Sequence, residues 1–354
     1  MSRVDTLWPQ LVSFENLLQA AHGAARGKRS RPDVATFLLD LEPEVLRLKR
    51  ELESGTYTPG PYRTFLVQEA KPRLISAAPF RDRVVHHALT RVIEPHFDIR
   101  FSPFSYACRK GFGTHRALAR ARQACRRYRY VLKCDVRKYF ASIDHAILLR
   151  LLARVIACQQ TLGLLRRIVA SSNPQEPALW YFAGDDLFTP HERRRGIPLG
   201  NQTSQFFANV YLESLDRMIV RTLRPAAYVR YVDDLLLFDN DKPTLGRMRT
   251  AVTDRLTALR LKLHDRKSRV FTTREGVSFL GFRLFPDHAR LLRGNVVRFR
   301  RRLRRMQRAF ACGELPGAGV DQRVRAWVAH AEHGDTWRLR EQVFAEYTFR
   351  RSAV

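Results

Sequence analysis

Three aspartates stand where this sequence could perform phosphoryl-transfer chemistry. Asp233 and Asp234 are adjacent and interrupt an apolar run, and Asp135 follows a separate apolar run far earlier in the chain. Carboxylates among buried apolar side chains are costly unless a positive group lies on them. A sheet can bring such strand ends together, and three carboxylates so placed can hold two Mg²⁺ ions for in-line phosphoryl transfer. Taken alone, the pair fits a solvated acidic turn equally well.

The residues that flank these aspartates predict the strands that must position them. Eight of the eleven side chains in residues 228–238 are apolar or aromatic, which is typical of a hairpin with both aspartates at or beside its turn. Residues 130–136 predict a second short strand that ends near Asp135. Another acidic pair, Asp185-Asp186, lies in a polar, proline-containing segment without a strand behind it. We therefore interpret that second pair as solvated.

Much of the remaining chain predicts helices. In the first 60 residues, apolar side chains recur at spacings of three and four, and Pro43 is expected to kink or split the second helix. A short turn near Lys71 and Arg73 joins two strand-like arms, and these two cations alone favour a solvated surface. Further helices are predicted after Pro79 and over residues 117–128, 147–170, 206–222 and 245–263, with a strand pair or bent strand over 277–285.

The charge of the chain indicates its class of partner. The 354 residues carry 63 Lys and Arg against 34 Asp and Glu, a formal net charge of +29. Such an excess predicts a polyanion, of which nucleic acid is the usual one, and arginine suits phosphate because its guanidinium can donate two parallel hydrogen bonds. No terminal basic amphipathic segment with exposed aromatic residues is present, so we expect no membrane partner.

The cysteines and apolar runs indicate a cytoplasmic protein. Five scattered cysteines without a CxxC motif argue against a disulfide framework or a zinc cluster. No apolar run is long enough to span a bilayer, and the first ten residues lack the pattern of a secretory leader. The length and the 45% hydrophobic content fit two or three subdomains that bury sizeable cores.

The C-terminal region predicts a helix with two different faces. Apolar side chains from Val296 to Phe310 recur at alternating spacings of three and four, which indicates one packed face. A basic helix face is usually only solvated, but eight arginines without an acidic neighbour repel one another, so we favour a bound phosphate backbone. These arginines are Arg293, Arg298, Arg300, Arg301, Arg302, Arg304, Arg305 and Arg308.

The sequence around the adjacent aspartates resembles a known family. The tetrapeptide from Tyr231 to Asp234 resembles the YxDD signature of reverse transcriptases. Blocks in the family's order accompany it and cover roughly residues 60–350, so the resemblance does not depend on one short motif. These blocks are residues 71–83 and 105–114 of the fingers, 132–145 and 261–268 of the palm, and 279–281 of the primer grip.

The resemblance implies an α+β right-hand polymerase fold. Its fingers, its palm on a small antiparallel sheet with helices on one face, and its basic helical thumb would together form an RNA-directed DNA polymerase. The substrates would be an RNA template, a DNA or RNA primer and dNTPs. The implied domains are an N-terminal helical extension (1–60), fingers (61–130), a palm (131–288, with a fingers-side insertion at about 147–195) and a thumb (289–354).

The resemblance also assigns roles to particular residues. Asp135, Asp233 and Asp234 would be catalytic and, with Val136, would form the site for two Mg²⁺ ions, which Mn²⁺ could replace. Phe140 would be the steric gate that clashes with a 2′-hydroxyl and so selects dNTPs, although ordinary core packing would also suit its ring. Nucleotide binding is implied for Lys71, Arg73, Phe140, Leu199, Gly200, Gln205 and Lys267. Nucleic-acid binding is implied for Arg109, Arg298, Arg301, Arg304, Arg305 and Arg308, and a primer grip for Phe279, Leu280 and Gly281.

One segment departs from the usual family pattern. Most reverse transcriptases carry Gln-Gly-x-x-x-Ser-Pro where this chain has Leu199 for the Gln and Gln205 for the Pro. This variant resembles the enzymes of diversity-generating retroelements, whose cDNA is mutated at template adenines, and which work with a small basic helical accessory protein. A leucine offers shape but no hydrogen bond, so we expect Leu199 to contribute to error-prone copying. The alternatives are a retron, group II intron-like or phage-defence reverse transcriptase, and a non-catalytic RNA-binding module on a polymerase fold.

Overall fold

The structure, a computed structural model, describes residues 3–67, 72–172 and 178–351 and mixes helices with short strands. The strands are β1 (Arg63–Val67), β2 (Arg73–Ala77), β3 (Tyr130–Asp135), β4 (Ala227–Tyr231), β5 (Asp234–Asp239), β6 (Arg269–Thr272), β7 (Val277–Phe279), β8 (Phe282–Leu284) and β9 (Ala289–Leu291). The helices are α1 (Trp8–Val12), α2 (Phe14–Ala25), α3 (Pro32–Leu39), α4 (Leu41–Glu53), α5 (Phe80–Asp98), α6 (Thr114–Arg127), α7 (Tyr139–Ser142), α8 (His145–Ala153), α9 (Gln159–Ala170), α10 (Thr189–Glu192), α11 (Gln202–Met218), α12 (Lys242–Ala258), α13 (Arg293–Ala311), α14 (Gly317–Ala331) and α15 (Trp337–Ala345).

The chain divides into two compact units, each built from separate stretches of sequence. The predicted finger, palm and thumb boundaries stay predictions, because these units follow a different division. Unit one comprises Met1–Arg109, Asp135–Arg224 and Thr250–His264, and unit two comprises Lys110–Cys134, Pro225–Arg249 and Asp265–Val354. No helix among the described residues is both long and apolar enough to cross a membrane.

Unit one has a helical core in which α2 packs against α5. Small buried side chains on α2, such as Ala20 and Ala24, let the two helices approach closely. Buried Asn16 ties them together, because its amide nitrogen donates to the carbonyls of Leu11 (2.9 Å) and Ala88 (3.2 Å). Ser13 begins α2 by accepting a hydrogen bond from the Asn16 amide, as a helix cap does.

Two helix boundaries in unit one test the sequence analysis. The expected split near Pro43 is confirmed: α3 ends before Asp40, and Pro43 lies in the first turn of α4, where a missing N–H costs little. The single helix predicted over 147–170 is wrong, because it is interrupted between α8 and α9. There Val4 exchanges backbone hydrogen bonds with Val155 (2.9 Å) and Ala157 (2.8 Å), which removes those peptide groups from a helix.

Unit two is organised on two sheets. The first has the strand order β4-β5-β3-β6, with β4 antiparallel to β5 and β3 antiparallel to β6. The second has the order β7-β8-β9 and is antiparallel throughout. Helix α6 contacts β4, β5 and β8, and it buries Ala117, Leu118 and Ala121 on its apolar face. Two of the three strands of the second sheet, β7 and β8, form the pair expected over 277–285.

The last three helices of unit two form a small core of their own. Phe299, Leu303 and Met306 on α13 are buried, which confirms the apolar face predicted from their spacing. The Phe299 ring stacks on Trp327 of α14 with 3.9 Å between ring centroids and 2° between planes. Val343 of α15 closes the same cluster. This packing holds the opposite face of α13 in a fixed position.

Two histidines of α5 predict a loss of stability in acid. His86 is 2% exposed, and neither ring nitrogen has a hydrogen-bond partner in the described part of the chain. Burial lowers the pKa of His86 to about 3 and that of its neighbour His87 to about 4, from 6.5. Below pH 6.5 the unfolded chain therefore binds more protons than the folded one, so stability falls as the pH drops towards these values, by up to about 1.4 kcal/mol per pH unit for each imidazole.

Replacing His86 by leucine should make the free energy of unfolding depend less steeply on pH. The reduction should correspond to about one proton, because leucine carries no titrating group. The measurement is urea unfolding of wild-type and His86→Leu protein at several values between about pH 7.5 and about pH 4.5. Exposed His22, on α2, supplies the control His22→Leu, which should leave the slope unchanged. An equal acid slope in His86→Leu and wild-type protein would refute the assignment.

Candidate active site

The two adjacent aspartates lie at a tight hairpin turn in unit two. Tyr231 pairs with Asp234 across β4 and β5, so Val232 and Asp233 form a two-residue turn. Val232 has φ +56°, a left-handed conformation that is strained for a β-branched residue. Only the first turn residue has positive φ, as in a type II′ turn, where glycine is usual. The turn that presents the aspartates therefore stores local strain.

A buried arginine stabilises this turn by a hydrogen bond to its backbone. Arg230, on β4, is fully buried, and its Nη1 donates to the carbonyl oxygen of Val232 at 3.0 Å. A buried guanidinium requires such partners because desolvating its charge is costly. Sequence reasoning missed Arg230, although a lone arginine within an apolar strand is the signal that could have identified it. Tyr231 is held as well, with its hydroxyl 3.0 Å from the Thr114 hydroxyl of α6.

The second aspartate of the pair has a cationic neighbour. Lys133 of β3 places its Nζ 3.5 Å from Oδ1 of Asp234. The same ammonium donates to the carbonyl oxygen of Ser278 on β7 at 2.8 Å. The desolvation cost of a carboxylate in a largely buried strand is therefore offset by a positive charge, as the sequence analysis required.

Asp135 is the last residue of the strand that lies next to the hairpin in the sheet. Strand β3 ends at Asp135 and neighbours β5, which begins at Asp234, so the sheet contains both strands that the sequence analysis linked. In unit one, the backbone carbonyl of Asp135 accepts from His264 N (2.8 Å), and buried Val136 forms a bridge with Leu263. These contacts fix the chain direction directly after the strand.

The donor chemistry of the aspartates fits Mg²⁺, and further ligands would have to come from elsewhere. Within residues 3–67, 72–172 and 178–351, no group of three or more His, Cys, Asp or Glu side chains is arranged to hold a metal ion by itself. Carboxylate oxygens are preferred ligands of Mg²⁺, which is often bound by one or two carboxylates together with substrate phosphates and water. The side chains of Asp135, Asp233 and Asp234 carry oxygens of this type.

Several predicted nucleotide-binding residues of unit one are linked through their backbones. Arg73 is exposed at the start of β2, whereas Lys71 lies outside the described residues. Ser76 of β2 donates its N–H to the carbonyl of Leu199 at 3.1 Å, and Ile197 donates to the carbonyl of Phe140 at 2.9 Å. Backbone hydrogen bonds therefore connect the segment of Leu199 to the strand of Arg73 and to the helix of Phe140.

The Leu199–Gly200 segment has little freedom. Gly200 has φ +112°, and a Cβ there would lie 2.8 Å from Cγ2 of Ile75, so a side chain would force β2 to shift. Leu199 is half-buried, and Gln205 is exposed on the first turns of α11. Phe140 is half-buried as well, with its ring edge-on to Tyr139 at 5.6 Å between centroids.

The predicted primer grip is the turn between β7 and β8. Phe279 pairs with Phe282, which leaves Leu280 (φ +47°) and Gly281 (φ +90°) as a two-residue turn with both φ values positive, as in type I′. The side-chain amide of Asn295, on α13, donates to the Gly281 carbonyl at 3.0 Å. The turn is therefore fixed against the start of the basic helix. Lys267, the remaining predicted nucleotide contact in unit two, is exposed shortly before β6.

The arginines predicted to bind nucleic acid separate into two groups. Those on α13 are exposed opposite its packed face, as the spacing predicts. Among the other arginines of that helix, Arg300 is half-buried and pairs with Glu346 at 2.7 Å. The exposed members of the predicted set are Arg298, Arg301, Arg304, Arg305 and Arg308.

Arg109 requires a correction, because its guanidinium is used within the fold. Its Nε lies 2.6 Å from Oδ1 of Asp98, and its Nη1 donates to the carbonyls of Ser102 (2.7 Å) and Ser105 (3.0 Å). The side chain is 5% exposed and lies over the Phe101 ring. Local carbonyls and one carboxylate satisfy this cation, so we no longer expect it to contact nucleic acid.

The second acidic pair is only half solvated. Asp186 is exposed and accepts hydrogen bonds from the backbone of Phe188 (2.9 Å) and Thr189 (2.6 Å), as expected for a loop aspartate. Asp185 instead pairs with Arg193, and both of these side chains are largely buried. The interpretation as a solvated pair is therefore wrong for Asp185, because Arg193 neutralises it.

Comparisons with known proteins identify the family of this chain. Residues 66–284 match the family described as Reverse transcriptase (RNA-dependent DNA polymerase). The chain is similar to Protein YkfC of Escherichia coli (strain K12), with 24% identity over 297 residues that cover 73% of this chain and 75% of that protein. It is also similar to Group II intron-encoded protein LtrA of Lactococcus lactis subsp. cremoris, with 23% identity over 183 residues, 51% of this chain and 29% of that protein.

A further relative is Nuclear intron maturase 1, mitochondrial, of Arabidopsis thaliana, which is 33% identical over 86 residues, 24% of this chain and 12% of that protein. The chain thus spans three quarters of YkfC but less than a third of LtrA and of the maturase. The family match covers more than half of the chain and includes Asp135, Asp233 and Asp234. The chain belongs to the reverse transcriptase (RNA-dependent DNA polymerase) family.

Proposed function

We propose that this chain is an RNA-directed DNA polymerase that extends a DNA or RNA primer on an RNA template. The observation that carries the proposal is the strained hairpin that presents Asp233 and Asp234, with the strand that ends at Asp135 as its neighbour in the sheet. The family match supports the same reaction class. A non-catalytic RNA-binding module would need none of these carboxylates at a strained turn.

In the proposed reaction the primer 3′-hydroxyl oxygen attacks the α-phosphorus of a dNTP. A phosphodiester bond forms, and the bond between the α-phosphorus and the oxygen that bridges to the β-phosphate breaks. Pyrophosphate leaves, and the hydroxyl proton passes to water. Two Mg²⁺ ions, when bound, supply Lewis-acid stabilisation of the charge that develops on these oxygens. Asp135, Asp233 and Asp234, with Val136 beside them, would hold the ions and orient the reacting groups.

Other residues of the chain would position the substrates. Exposed Arg73, together with Lys71, would neutralise the triphosphate. Phe140 would exclude a 2′-hydroxyl by its bulk. Lys267, Gly200 and Gln205 complete the proposed nucleotide contacts, the turn from Phe279 to Gly281 would grip the primer, and the arginines of α13 would follow the backbone of the duplex.

The proposal is tested by primer extension with purified protein, an RNA template, a DNA primer and dNTPs. Extension that requires added Mg²⁺ or Mn²⁺ is the expected result. A protein that binds the template and primer tightly but extends nothing with either metal would support the non-catalytic alternative and overturn the proposal.

The proposal extends to an error-prone enzyme of the diversity-generating retroelement type. It is supported by half-buried Leu199, whose carbonyl is tied to β2, and by Gln205 on α11. An apolar side chain at position 199 offers shape but no hydrogen bond to the template base or the incoming nucleotide, so it would discriminate less well. A small basic helical protein is the proposed accessory partner.

Replacing Leu199 by glutamine should lower misincorporation opposite template adenines by about tenfold, because a site that hydrogen-bonds its substrate rejects mismatches more strongly. Sequencing of the cDNA made by wild-type and Leu199→Gln protein on one template measures this effect. Leu187→Gln is the matched control, since Leu187 is 68% exposed in a loop. An error spectrum that Leu199→Gln leaves unchanged would remove the proposed role of this residue.

A group II intron-like reverse transcriptase is the second candidate, and the names of two relatives favour it. That candidate predicts errors without preference for template adenines and a preference for intron RNA as template. The two candidates are separated by the same sequencing experiment together with competition between intron RNA and an unrelated RNA of equal length.

A further inference from the structure

Lys133 occupies an unusual position for a lysine. It lies within β3 between Leu132 and Cys134, both fully buried, and its own side chain is only 16% exposed. Side chains alternate along a strand, so Lys133 and Asp135 project from the same face of the sheet, and both are half-buried. A largely buried ammonium is stable only where carboxylate or carbonyl oxygens surround it.

The two partners of Lys133 connect two parts of the proposed site. Its Nζ donates to the carbonyl of Ser278 at 2.8 Å, a good hydrogen bond, and lies 3.5 Å from Oδ1 of Asp234, the length of an ion pair. Ser278 precedes Phe279 on the primer-grip strand, and Asp234 follows the strained turn on the catalytic hairpin. One ammonium therefore joins the hairpin to the primer-grip sheet, and the carbonyl contact keeps it in place.

We propose that Lys133 is a positioning residue that orients the Asp234 carboxylate for metal binding and couples the catalytic hairpin to the primer grip. This inference rests on the polymerase function proposed above. It predicts two effects of opposite sign. A fixed positive charge beside a metal ligand repels the incoming cation and so weakens metal binding. The same charge holds the carboxylate in one orientation, which favours turnover because the ligand is already in place.

The test compares Lys133→Met with wild-type protein in two measurements. Binding of Mn²⁺ to the protein without nucleic acid or dNTP is measured by electron paramagnetic resonance of the free ion, and we expect it to tighten by about threefold to tenfold. Single-nucleotide extension should show a kcat at least about tenfold lower, with little change in the KM for dNTP. Damage to the fold would instead weaken both Mn²⁺ binding and turnover. Weaker or unchanged Mn²⁺ binding, or an unchanged kcat, overturns the proposal.

The sheet supplies a matched control for the loss of charge. Arg269 of β6 is directly opposite Lys133 in the β3–β6 register, is exposed, and lies over the Phe271 ring rather than beside an aspartate. Arg269→Met removes one positive charge from the same sheet, and it should leave Mn²⁺ binding and kcat close to wild type. Lys133→Arg keeps the charge and should retain a kcat closer to wild type than Lys133→Met does. Equal losses in the two Lys133 variants would show that the charge is not responsible.

The two measurements also separate this inference from the function on which it depends. If wild-type protein extends no primer with Mg²⁺ or Mn²⁺, the polymerase proposal fails, and the role of Lys133 then stands or falls on Mn²⁺ binding by Lys133→Met. If wild-type protein is active and Lys133→Met behaves like Arg269→Met, only the inference fails. Thermal unfolding of each variant shows whether the fold is retained.

Discussion

Asp233→Asn protein should lose primer extension by at least about 10³-fold in kcat, which corresponds to about 4 kcal/mol of transition-state stabilisation. Asparagine has nearly the shape of aspartate, so the two-residue turn can keep its geometry. It lacks the negative charge that a divalent cation requires from its ligands. The loss should therefore appear in turnover while affinity for the template and primer is retained.

The second acidic pair provides the control for this variant. Asp186 is exposed and accepts only local hydrogen bonds, from the backbone of Phe188 and from the backbone and hydroxyl of Thr189, so Asp186→Asn removes the same charge outside the candidate site. Asp186→Asn should extend the primer at nearly the wild-type rate. The measurement is single-turnover extension with saturating dNTP and Mg²⁺. If Asp233→Asn retains more than about a tenth of wild-type activity, the assignment of Asp233 as a metal ligand is wrong.

The second large effect is expected on the exposed face of α13. Arg301, Arg304 and Arg308 are three and four residues apart, so they lie on one side of the helix, opposite Phe299 and Leu303. Replacing all three by glutamine should weaken binding of a primer–template duplex by about 10²-fold near physiological salt. Each phosphate contact that is lost no longer releases counterions from the duplex. The slope of log affinity against log salt should therefore become shallower by about two to three.

A control with equal charge distinguishes phosphate contacts from the overall charge of the protein. Arg47, Arg217 and Arg325 are exposed, and each is already paired with a carboxylate on its own helix. Their triple replacement by glutamine changes the net charge by the same amount and should leave the salt slope close to wild type. Fluorescence anisotropy at several salt concentrations measures both triple variants. Equal slopes for the two would exclude a phosphate track on α13.

The pattern of side chains along the sequence predicts those parts of the fold whose conformation depends on neighbouring residues. The apolar run around Asp233 and the spacing of apolar residues on α13 each specify their own conformation within a few residues. The hairpin and the packed face therefore follow from sequence, whereas residues 277–285 were equally compatible with a strand pair and a bent strand. The strand that ends at Asp135 was also predictable, since its apolar run is short and bounded.

The contacts that sequence did not predict are those that only the folded chain brings together. The break between α8 and α9 depends on Val4, and the burial of Asp185 depends on Arg193. The family resemblance implied that Arg109 binds nucleic acid, and only the folded loop shows that Asp98 is its partner. The pairing of Lys133 with Asp234 is of the same kind. Periodicity carries no information about which charges meet in space.

The division of both units among separate stretches of sequence has a consequence for synthesis on the ribosome. Unit one requires residues up to His264, and the sheet of unit two requires β6 to pair with β3 across a long intervening chain. Closing such long loops is entropically costly and slow, so native contacts of this kind form late in folding. For most of translation, therefore, the nascent chain exposes strand edges that have not yet paired. We expect the yield of folded protein in cells to depend on chaperones and on slow elongation.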